Sequence, residues 1–474
     1  MGVLLEKRRL SGAAAMALLL AGCATLDAPL PEPQVDVPAQ WALSDPAPIS
    51  VSIAEYWTLL DDPLLSEFVI RSIGANRDIA QAAARLDQAR AQVRGARAGY
   101  LPAIGASAGV SRDVGDLADD RFRFNIGADA SWEADLFGQI SGNVAAAEAD
   151  LLASGYSLSD LQRLIVGQVA VSTVNARALS EQLRIARESL AYQEENLQIA
   201  RWRNQAGLVS SLDVEQARAQ RAQTAASIPA LESQLVSTAN AISTLIGEPP
   251  GRVYMALDEP AGVPVPVELA GFEAPSDVLA RRPDVRAAEA SLVAASARIG
   301  VARAQLLPLV RLTGSLGTAS VGIGDLFDVV TGTLFAGVSQ LLFDGGRTAA
   351  QVEGAEAVAR GALAAWEQAI LIALEEVESA AVDQRASAER VTINLEAVDA
   401  ANNSAILARS QYQAGLTDFQ TLLSAENQLL SARNQLIGAE ADRAAAFVRL
   451  TQALGGGWDP QAEYATSQSD GIDE

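Results

Sequence analysis

The side chains that could carry chemistry in this chain are one cysteine and a large excess of carboxylates. The 474 residues contain Cys23, 58 acidic residues, 35 basic residues and no histidine. Without histidine or a cysteine cluster, the chain lacks the commonest general base and the commonest zinc ligands, so we expect no metal site. Carboxylate pairs could still serve an envelope hydrolase as acid and base. The acidic residues are scattered at the spacing of solvated helix faces, which favours a charged surface over a catalytic site.

Cys23 lies in a context that predicts covalent lipid attachment. Residues 1–9 carry three basic side chains, residues 10–20 are almost entirely apolar, and the segment LAGC ends at Cys23. This is the order of regions in a secretory signal, and the apolar run is too short to span a bilayer. The segment resembles a bacterial lipobox, in which cleavage leaves a diacylated cysteine; a plain signal peptide is the alternative. No other cofactor is expected.

Charge and hydropathy restrict the class of protein further. The formal net charge of −23 argues against a nucleic-acid partner. After residue 20 no 18-residue apolar run occurs, so we expect no transmembrane helix. A membrane, if crossed, must therefore be crossed by strands.

Four segments alternate as strands do, at about 103–112, 121–135, 308–319 and 332–343. In the second, apolar or small residues occupy the even positions, and Asp129 and Glu133 lie among the polar odd positions. One apolar and one polar face are typical of a lipid-facing barrel wall, although a half-buried soluble sheet shows the same period. On the barrel interpretation, both carboxylates face the lumen. Four strands cannot close a barrel, so several chains must contribute.

The sequence is internally duplicated. Residues 77–102 and 283–308 align without a gap at an offset of 206, with 11 of the 26 positions identical. Proline-free helical stretches follow in both halves, at 138–205 and 347–413, the first about 100 Å long at ~1.5 Å per residue. Each ends at an Ala-Gly-Leu segment, where Gly207 and Gly415 can adopt the left-handed conformation that caps a helix. The chain therefore returns twice as a helical hairpin.

The returning helix of the second half carries a coiled-coil seam, which an ordinary bundle core would explain equally well. Its residues are Leu422, Ala425, Leu429, Ala432, Leu436 and Ala439. The predicted organisation is a signal peptide at 1–22, a lipid-anchored tether at 23–50, a first repeat at 51–247, a linker at 248–276, a second repeat at 277–458 and an acidic tail at 459–474. The fold class is mixed α+β.

Several short motifs, in this order over both halves, give the chain a family resemblance. They are the lipobox at Cys23, YW at 56–57, DPL at 62–64, RRPDV at 281–285, LLFDGGR at 341–347, YQAG at 412–415 and ALGGGW at 453–458. The chain resembles the outer-membrane factors of the TolC type, in the lipoprotein subgroup of NodT-like and OprM-like multidrug-efflux channels.

The resemblance implies a homotrimer in the outer membrane, with a 12-stranded barrel continuing into a periplasmic tunnel of 12 hairpin helices. It implies a passive exit duct that meets a periplasmic adaptor (membrane fusion protein) coupled to an inner-membrane pump, expected to be of the resistance-nodulation-division type. Gly207 with Leu208, and Gly415 with Leu416, correspond to the adaptor-contacting tips. No catalytic residue is needed. The alternative is a structural coiled-coil envelope lipoprotein without channel activity, although it would not explain the strand at 121–135.

The chain departs from its relatives at the gate. In OprM-like members an Arg before the Tyr-x-x-Gly turn, and a Leu and an Asp in the following helix, hold the periplasmic end shut. The corresponding residues here are Gln411, Gln420 and Ser424. Asp213 and Asp418 remain as possible acidic rings, although Asp213 could equally cap a helix. We therefore expect a gate held by polar contacts and leakier than in the relatives.

Overall fold

A computed structural model describes residues 30–42, 53–112, 114, 121–258, 261–267 and 273–458. The α-helices in these ranges are α1 (Pro63–Ala75), α2 (Arg77–Arg97), α3 (Gln139–Gln205), α4 (Ser211–Leu245), α5 (Arg252–Leu257), α6 (Pro275–Arg281), α7 (Pro283–Ala304), α8 (Arg347–Gln413) and α9 (Phe419–Ala453). The strands are β1 (Ala103–Arg112), β2 (Phe122–Ala134), β3 (Leu309–Ser320) and β4 (Val330–Ser339). The mixed α+β prediction is confirmed.

The duplication repeats the backbone closely. Helices α3 and α8 have 67 residues each, and α4 and α9 have 35 each. Every one of these helices begins and ends 208 residues from its counterpart, whereas α2 and α7 begin 206 residues apart. Strand β3, two residues longer than β1, accounts for the difference. The two halves therefore build the same parts with one small insertion.

The compact units of the chain do not coincide with the sequence repeats. One unit comprises Met1–Gln34, Ala84–Tyr156 and Arg286–Gln368, and the other comprises Val35–Ala83, Ser157–Val285 and Ala369–Glu474. Each unit thus takes segments from both halves. A half-domain that cannot bury its own apolar faces must pack against its duplicate, which explains the interleaving.

The strands form one antiparallel sheet in the order β1-β2-β3-β4. Ala103 lies opposite Ser131 and Leu309 opposite Ser339. The predicted end of the fourth strand, near residue 343, is wrong, since β4 ends at Ser339. The ladder between β3 and β4 ends at the pair of Leu309 with Ser339.

The predicted tether is described at residues 30–42, where it is held against the rest of the chain. The indole Nε1 of Trp41 donates to the carbonyl of Glu273 at 2.7 Å, and the ring is buried beside Ile53 and Leu450. The backbone N–H of Gln34 donates to Glu367 at 2.9 Å. These contacts hold the chain in place at Gln34 and at Trp41.

Among the described residues, α8 contains an 18-residue segment that is long and apolar enough to cross a membrane, by length and composition only. The sequence led us to expect no such helix. One helix of this kind is weak support for a span, because core helices of soluble proteins pass the same test.

The RRPDV motif contacts α8 and the C-terminal end of α9, the two helices of the second hairpin. Arg282 is fully buried; its guanidinium lies 2.6 Å from both Asp284 and Glu376 and donates to the carbonyl of Ala453 at 3.0 Å. Burial lowers the pKa of Arg282, but hydrogen bonds to Asp284 and Glu376 outweigh it, and the pKa is raised overall. The motif therefore ties the start of α7 to α8 and to the C-terminal end of α9.

Removing this cation should destabilise the helical unit. We expect Arg282→Ala to lower the free energy of unfolding by about 3 kcal/mol, because it leaves carboxylates without their partner. Arg390→Ala breaks a pair with Asp442 whose side chains are 58% and 55% exposed, and should cost about 0–1 kcal/mol. Urea unfolding in detergent, followed by circular dichroism, compares the two. Equal losses would contradict the role given to Arg282.

Candidate functional site

The first hairpin turn is a capped reversal between α3 and α4. Gly207 has φ +75°, and its N–H and that of Leu208 donate to the carbonyls of Asn204 and Arg203, both at 2.9 Å. Ser210 then begins α4 in a capping box with Asp213. Leu208 is 69% exposed. The structure thus gives Asp213 a capping role and leaves Leu208 open to contact.

The second turn has the same backbone design. Gly415 has φ +73°, its N–H and that of Leu416 donate to the carbonyls of Tyr412 and Gln411, and Leu416 is 79% exposed. Asp418 caps α9 by accepting from the Thr421 N–H at 2.9 Å and hydroxyl at 2.6 Å. These bonds hold the pKa of the Asp418 carboxyl below its usual range.

The side chains around the two turns differ although their backbones match. Trp202 and Leu212 are 61% and 65% exposed beside the first turn. At the 208-residue offset, Ser410 and Gln420 occupy the equivalent positions of the second turn. The first turn therefore presents an aromatic and two leucines, whereas the second presents one leucine.

An arginine connects the two hairpins beside these turns. The Arg203 Nη1 donates to the carbonyl of Tyr412 at 2.7 Å, and its Cζ lies 4.6 Å from the centre of the Tyr412 ring. That ring packs edge-on against Phe419, with 5.5 Å between the ring centres. Burial raises the pKa of the Tyr412 hydroxyl. Arg203 thus joins the end of α3 to the end of α8 by a charge-assisted hydrogen bond and a cation–π contact.

A second polar junction surrounds Glu426 on α9. Asn196 of α3 donates to its two carboxylate oxygens at 2.9 and 2.7 Å, and Arg409 of α8 lies 3.1 Å from the carboxylate. Nearby, Gln220 of α4 donates to Asn427 at 2.5 Å. Helices α3, α4, α8 and α9 therefore all contribute polar side chains to the region around Glu426 and Asn427.

The gate positions taken from the resemblance are not part of these junctions. Gln411, Gln420 and Ser424 are exposed. Arg203, the residue that corresponds to Gln411 in the first repeat, is an arginine that contacts the second turn through the Tyr412 carbonyl. The 208-residue offset was the signal that could have identified it.

The sheet has one polar and one apolar face, as its register shows. Asp129 lies opposite Ser315, and Glu133 lies opposite Arg311 with 3.6 Å between the charged groups. Arg123 is on the same polar face. The two carboxylates expected on this face are therefore accompanied by two arginines, one of them paired with Glu133.

Cys23 lies outside the described residues. Within the residues described, no group of three or more Cys, Asp or Glu side chains is placed to hold a metal ion.

A four-stranded sheet with one apolar face and two capped helical hairpins with exposed apolar turns are the parts expected of an outer-membrane channel with a helical periplasmic part. The profile of the family described as "Outer membrane efflux protein" matches residues 71–248 and 274–456, and the chain belongs to this family. It is an outer-membrane efflux channel, not an enzyme, which confirms the predicted class, location and activity.

Individual relatives cover almost the whole chain. "Nodulation protein T" of Rhizobium leguminosarum bv. trifolii is 30% identical over 94% of this chain and 97% of its own length. "Probable outer membrane lipoprotein SilC" of Salmonella typhimurium is 29% identical over 93% of this chain and 97% of its own. The solved structure of the outer-membrane channel OprN superposes with a TM-score of 0.82 at 32% identity, covering 91% of this chain and 99% of that one.

Proposed function

We propose that this channel works as a homotrimer, as the passive exit duct of a tripartite efflux system. The observation that carries the proposal is the sheet: β1 and β4 are each paired on one side only, within a sheet that has an apolar face. Backbone groups left unpaired in lipid cost several kcal/mol each, and barrels need at least about 8 strands. Three chains supply twelve strands, which is enough to close a barrel. A periplasmic adaptor and an inner-membrane pump of the resistance-nodulation-division type complete the proposed pathway.

The hairpin turns are the proposed docking points for the adaptor. Leu208 and Leu416 are held outward by the capped turns at Gly207 and Gly415. Exposed apolar side chains on a rigid turn lose little conformational freedom on binding, which favours a partner surface. Trp is enriched among the interface residues that dominate affinity, so we expect the first turn, with Trp202, to contribute more of the binding free energy than the second.

Substitutions at the turns test this proposal. We expect Trp202→Ala, and Leu208→Ser with Leu416→Ser, each to weaken adaptor binding about tenfold or more while trimers persist. Ser410→Ala, at the position equivalent to Trp202, is the matched control and should have no effect. Biolayer interferometry with a purified adaptor measures the affinity. Unchanged affinity in both turn variants would show that the two turns only reverse the helices and do not bind the adaptor.

The gate proposal rests on the two polar junctions described above, one around Arg203 and one around Glu426. The bond from Arg203 to Tyr412 and those from Asn196 to Glu426 tie the second hairpin to the first, and hydrogen bonds to charged groups contribute about 1.5–3 kcal/mol each. Asp213 and Asp418 stay in the proposal as acidic groups near the turns, although both cap helices. Movement of the second hairpin must break these contacts, so we propose that they are formed when the channel is closed.

Loss of the Arg203 contact should make the resting channel leak. We expect Arg203→Ala to raise resting conductance in planar bilayers, because both the hydrogen bond and the cation–π contact to Tyr412 are lost. The neighbouring Arg201→Ala is the control. Conversely, Gln411→Arg with Gln420→Leu and Ser424→Asp should lower resting conductance. An unchanged Arg203→Ala channel would assign the closed state to other contacts.

The polar face of the sheet is the proposed lumen wall, with Asp129 and Glu133 on it. Arg311 and Arg123 offset their charge, so we expect a weak cation preference from this region. Arg311→Gln should strengthen that preference and Asp129→Asn should reduce it, as measured by reversal potentials in a salt gradient. Ser315→Ala is the neutral control. An unchanged reversal potential in both charge variants would show that this face does not line the lumen. If the protein gave no conductance at all, the alternative of a structural lipoprotein without channel activity would be favoured.

The lipid anchor at Cys23 is also a proposal. It rests on the lipobox-like segment and on the likeness to a relative named an outer membrane lipoprotein. Two or three acyl chains would anchor the chain stably, since each buried CH₂ contributes about 0.8 kcal/mol. Fatty-acid labelling that persists in Cys23→Ser would contradict it.

A further inference from the structure

One arginine lies on the apolar face of the sheet. The register places the even-numbered residues of all four strands on that face. Among the strand residues that the structure describes, Arg112 is the only charged one there. It is the last residue of β1, it is exposed, and it lies opposite Phe122, the first residue of β2. Arg123, the next residue of β2, is on the opposite, polar face.

The position of Arg112 along the strand places it near a membrane surface. Strands β1 and β3 follow helices, and β2 and β4 lead into helices, so the helices connect to one end of the sheet and the two strand-to-strand loops lie at the other. Because the helical part is periplasmic, the loop end is the outer one. Phe122 and Trp132 are ten residues apart on the apolar face of β2, roughly the 9–11 residues that cross the hydrocarbon core. Arg112 therefore lies at the outer interface, where a charge on the lipid side costs far less than at the centre.

The surroundings of Arg112 combine a cation with an apolar surface. Its Cζ lies 5.1 Å from the centre of the Phe122 ring, which is 51% exposed. Val110, two residues earlier on the same face, is 60% exposed. A cation–π contact orients the guanidinium, whose forked N–H donors match the oxygens of a phosphate. This combination fits a lipid that carries a phosphate on its headgroup.

The second repeat uses the same position in another way. Thr318 and Val330, the counterparts of Arg112 and Phe122 at offsets of 206 and 208, also lie opposite each other. Thr318 is buried, and its hydroxyl donates to the carbonyl of Leu326 in the loop between β3 and β4. This pair holds a loop and carries no charge. The strand pairing does not need a cation at this position, so Arg112 calls for another role.

The loop between β3 and β4 adds apolar surface at the same end of the sheet. Ser320, the last residue of β3, lies opposite Phe124, so this loop begins close to the outer end of β2. Its exposed apolar side chains are Val321, Ile323, Phe327 and Val329. Contact with acyl chains would remove this surface from water.

We propose that Arg112 binds the phosphate of an outer-leaflet lipid whose acyl chains lie on Val110 and Phe122. Phe122 is the positioning residue, because its ring orients the guanidinium. Lipid A, a glycolipid with two phosphate groups, has the required chemistry. The inference rests on the proposed barrel, whose outer surface this face would form, and the trimer would then carry three such sites.

Native mass spectrometry of the trimer with added lipid tests the site. We expect the unmodified trimer to bind up to three molecules of diphosphoryl lipid A, about tenfold more tightly than phosphatidylcholine, whose headgroup has no net charge. Arg112→Gln should remove this preference. Arg123→Gln is the matched control, since it removes the same charge one residue from Phe122 but on the other face, and it should keep the preference.

The outcomes separate the lipid site from the trimer. A trimer of Arg112→Gln that still prefers lipid A, or an equal loss in Arg123→Gln, would overturn the site and leave the proposed trimer standing. A monomeric mass without bound lipid would overturn both. Millimolar inorganic phosphate should not displace lipid A, because it lacks acyl chains. Displacement would mean a general anion site and would overturn the lipid assignment.

Two further measurements check the roles of the pair. Phe122→Ala should weaken lipid A binding about threefold, because the guanidinium loses its cation–π contact, and unchanged binding would remove the positioning role. In lipid-free detergent, Arg112→Gln should dissociate at the same temperature as the unmodified trimer. A lower temperature would show that Arg112 serves a protein contact instead of a lipid.

Discussion

A backbone hydrogen-bonding group cannot be left unpaired in hydrocarbon, and the arrangement of this chain depends on that constraint. Within the sheet, β2 and β3 are paired on both sides, whereas β1 and β4 each keep one open edge. Strands of ten residues also match the roughly 9–11 residues that a tilted strand needs to cross the hydrocarbon core. This is the basis of the proposed trimer, in which each chain supplies one segment of the barrel wall.

Duplication provides a repeated backbone on which the two halves have diverged. Both turns place a glycine at positive φ and an exposed leucine next to it, because a helix that reverses needs its last carbonyls satisfied. The side chains around that backbone are not repeated. Arg203 and Trp202 of the first half correspond to Gln411 and Ser410 of the second. The arginine that bonds Tyr412 and the larger apolar turn surface therefore both come from the first half.

The chain also shows how an acidic protein uses its cations. Apart from Lys7, every basic residue is arginine. The buried ones lie where helices meet: Arg282 bonds two carboxylates and a carbonyl, and Arg177 bonds Asp62 at the start of α1. The planar guanidinium can serve several acceptors at once, which a lysine ammonium does less well in a fixed geometry. The excess of carboxylates remains on the surface.

The sequence by itself determined the elements and the family, because these depend on local periodicity and on short motifs. A period of two located the strands, the absence of proline located the long helices, and Gly207 and Gly415 marked their ends. Only the tertiary structure decided which side chains meet. The contact of Arg203 with Tyr412 and that of Glu133 with Arg311 join residues distant in sequence, and such pairs are set by packing and strand register. The end of β4 was likewise decided by its partner strand, because the ladder ends where Ser339 lies opposite Leu309, a pairing that β4's own residues do not specify.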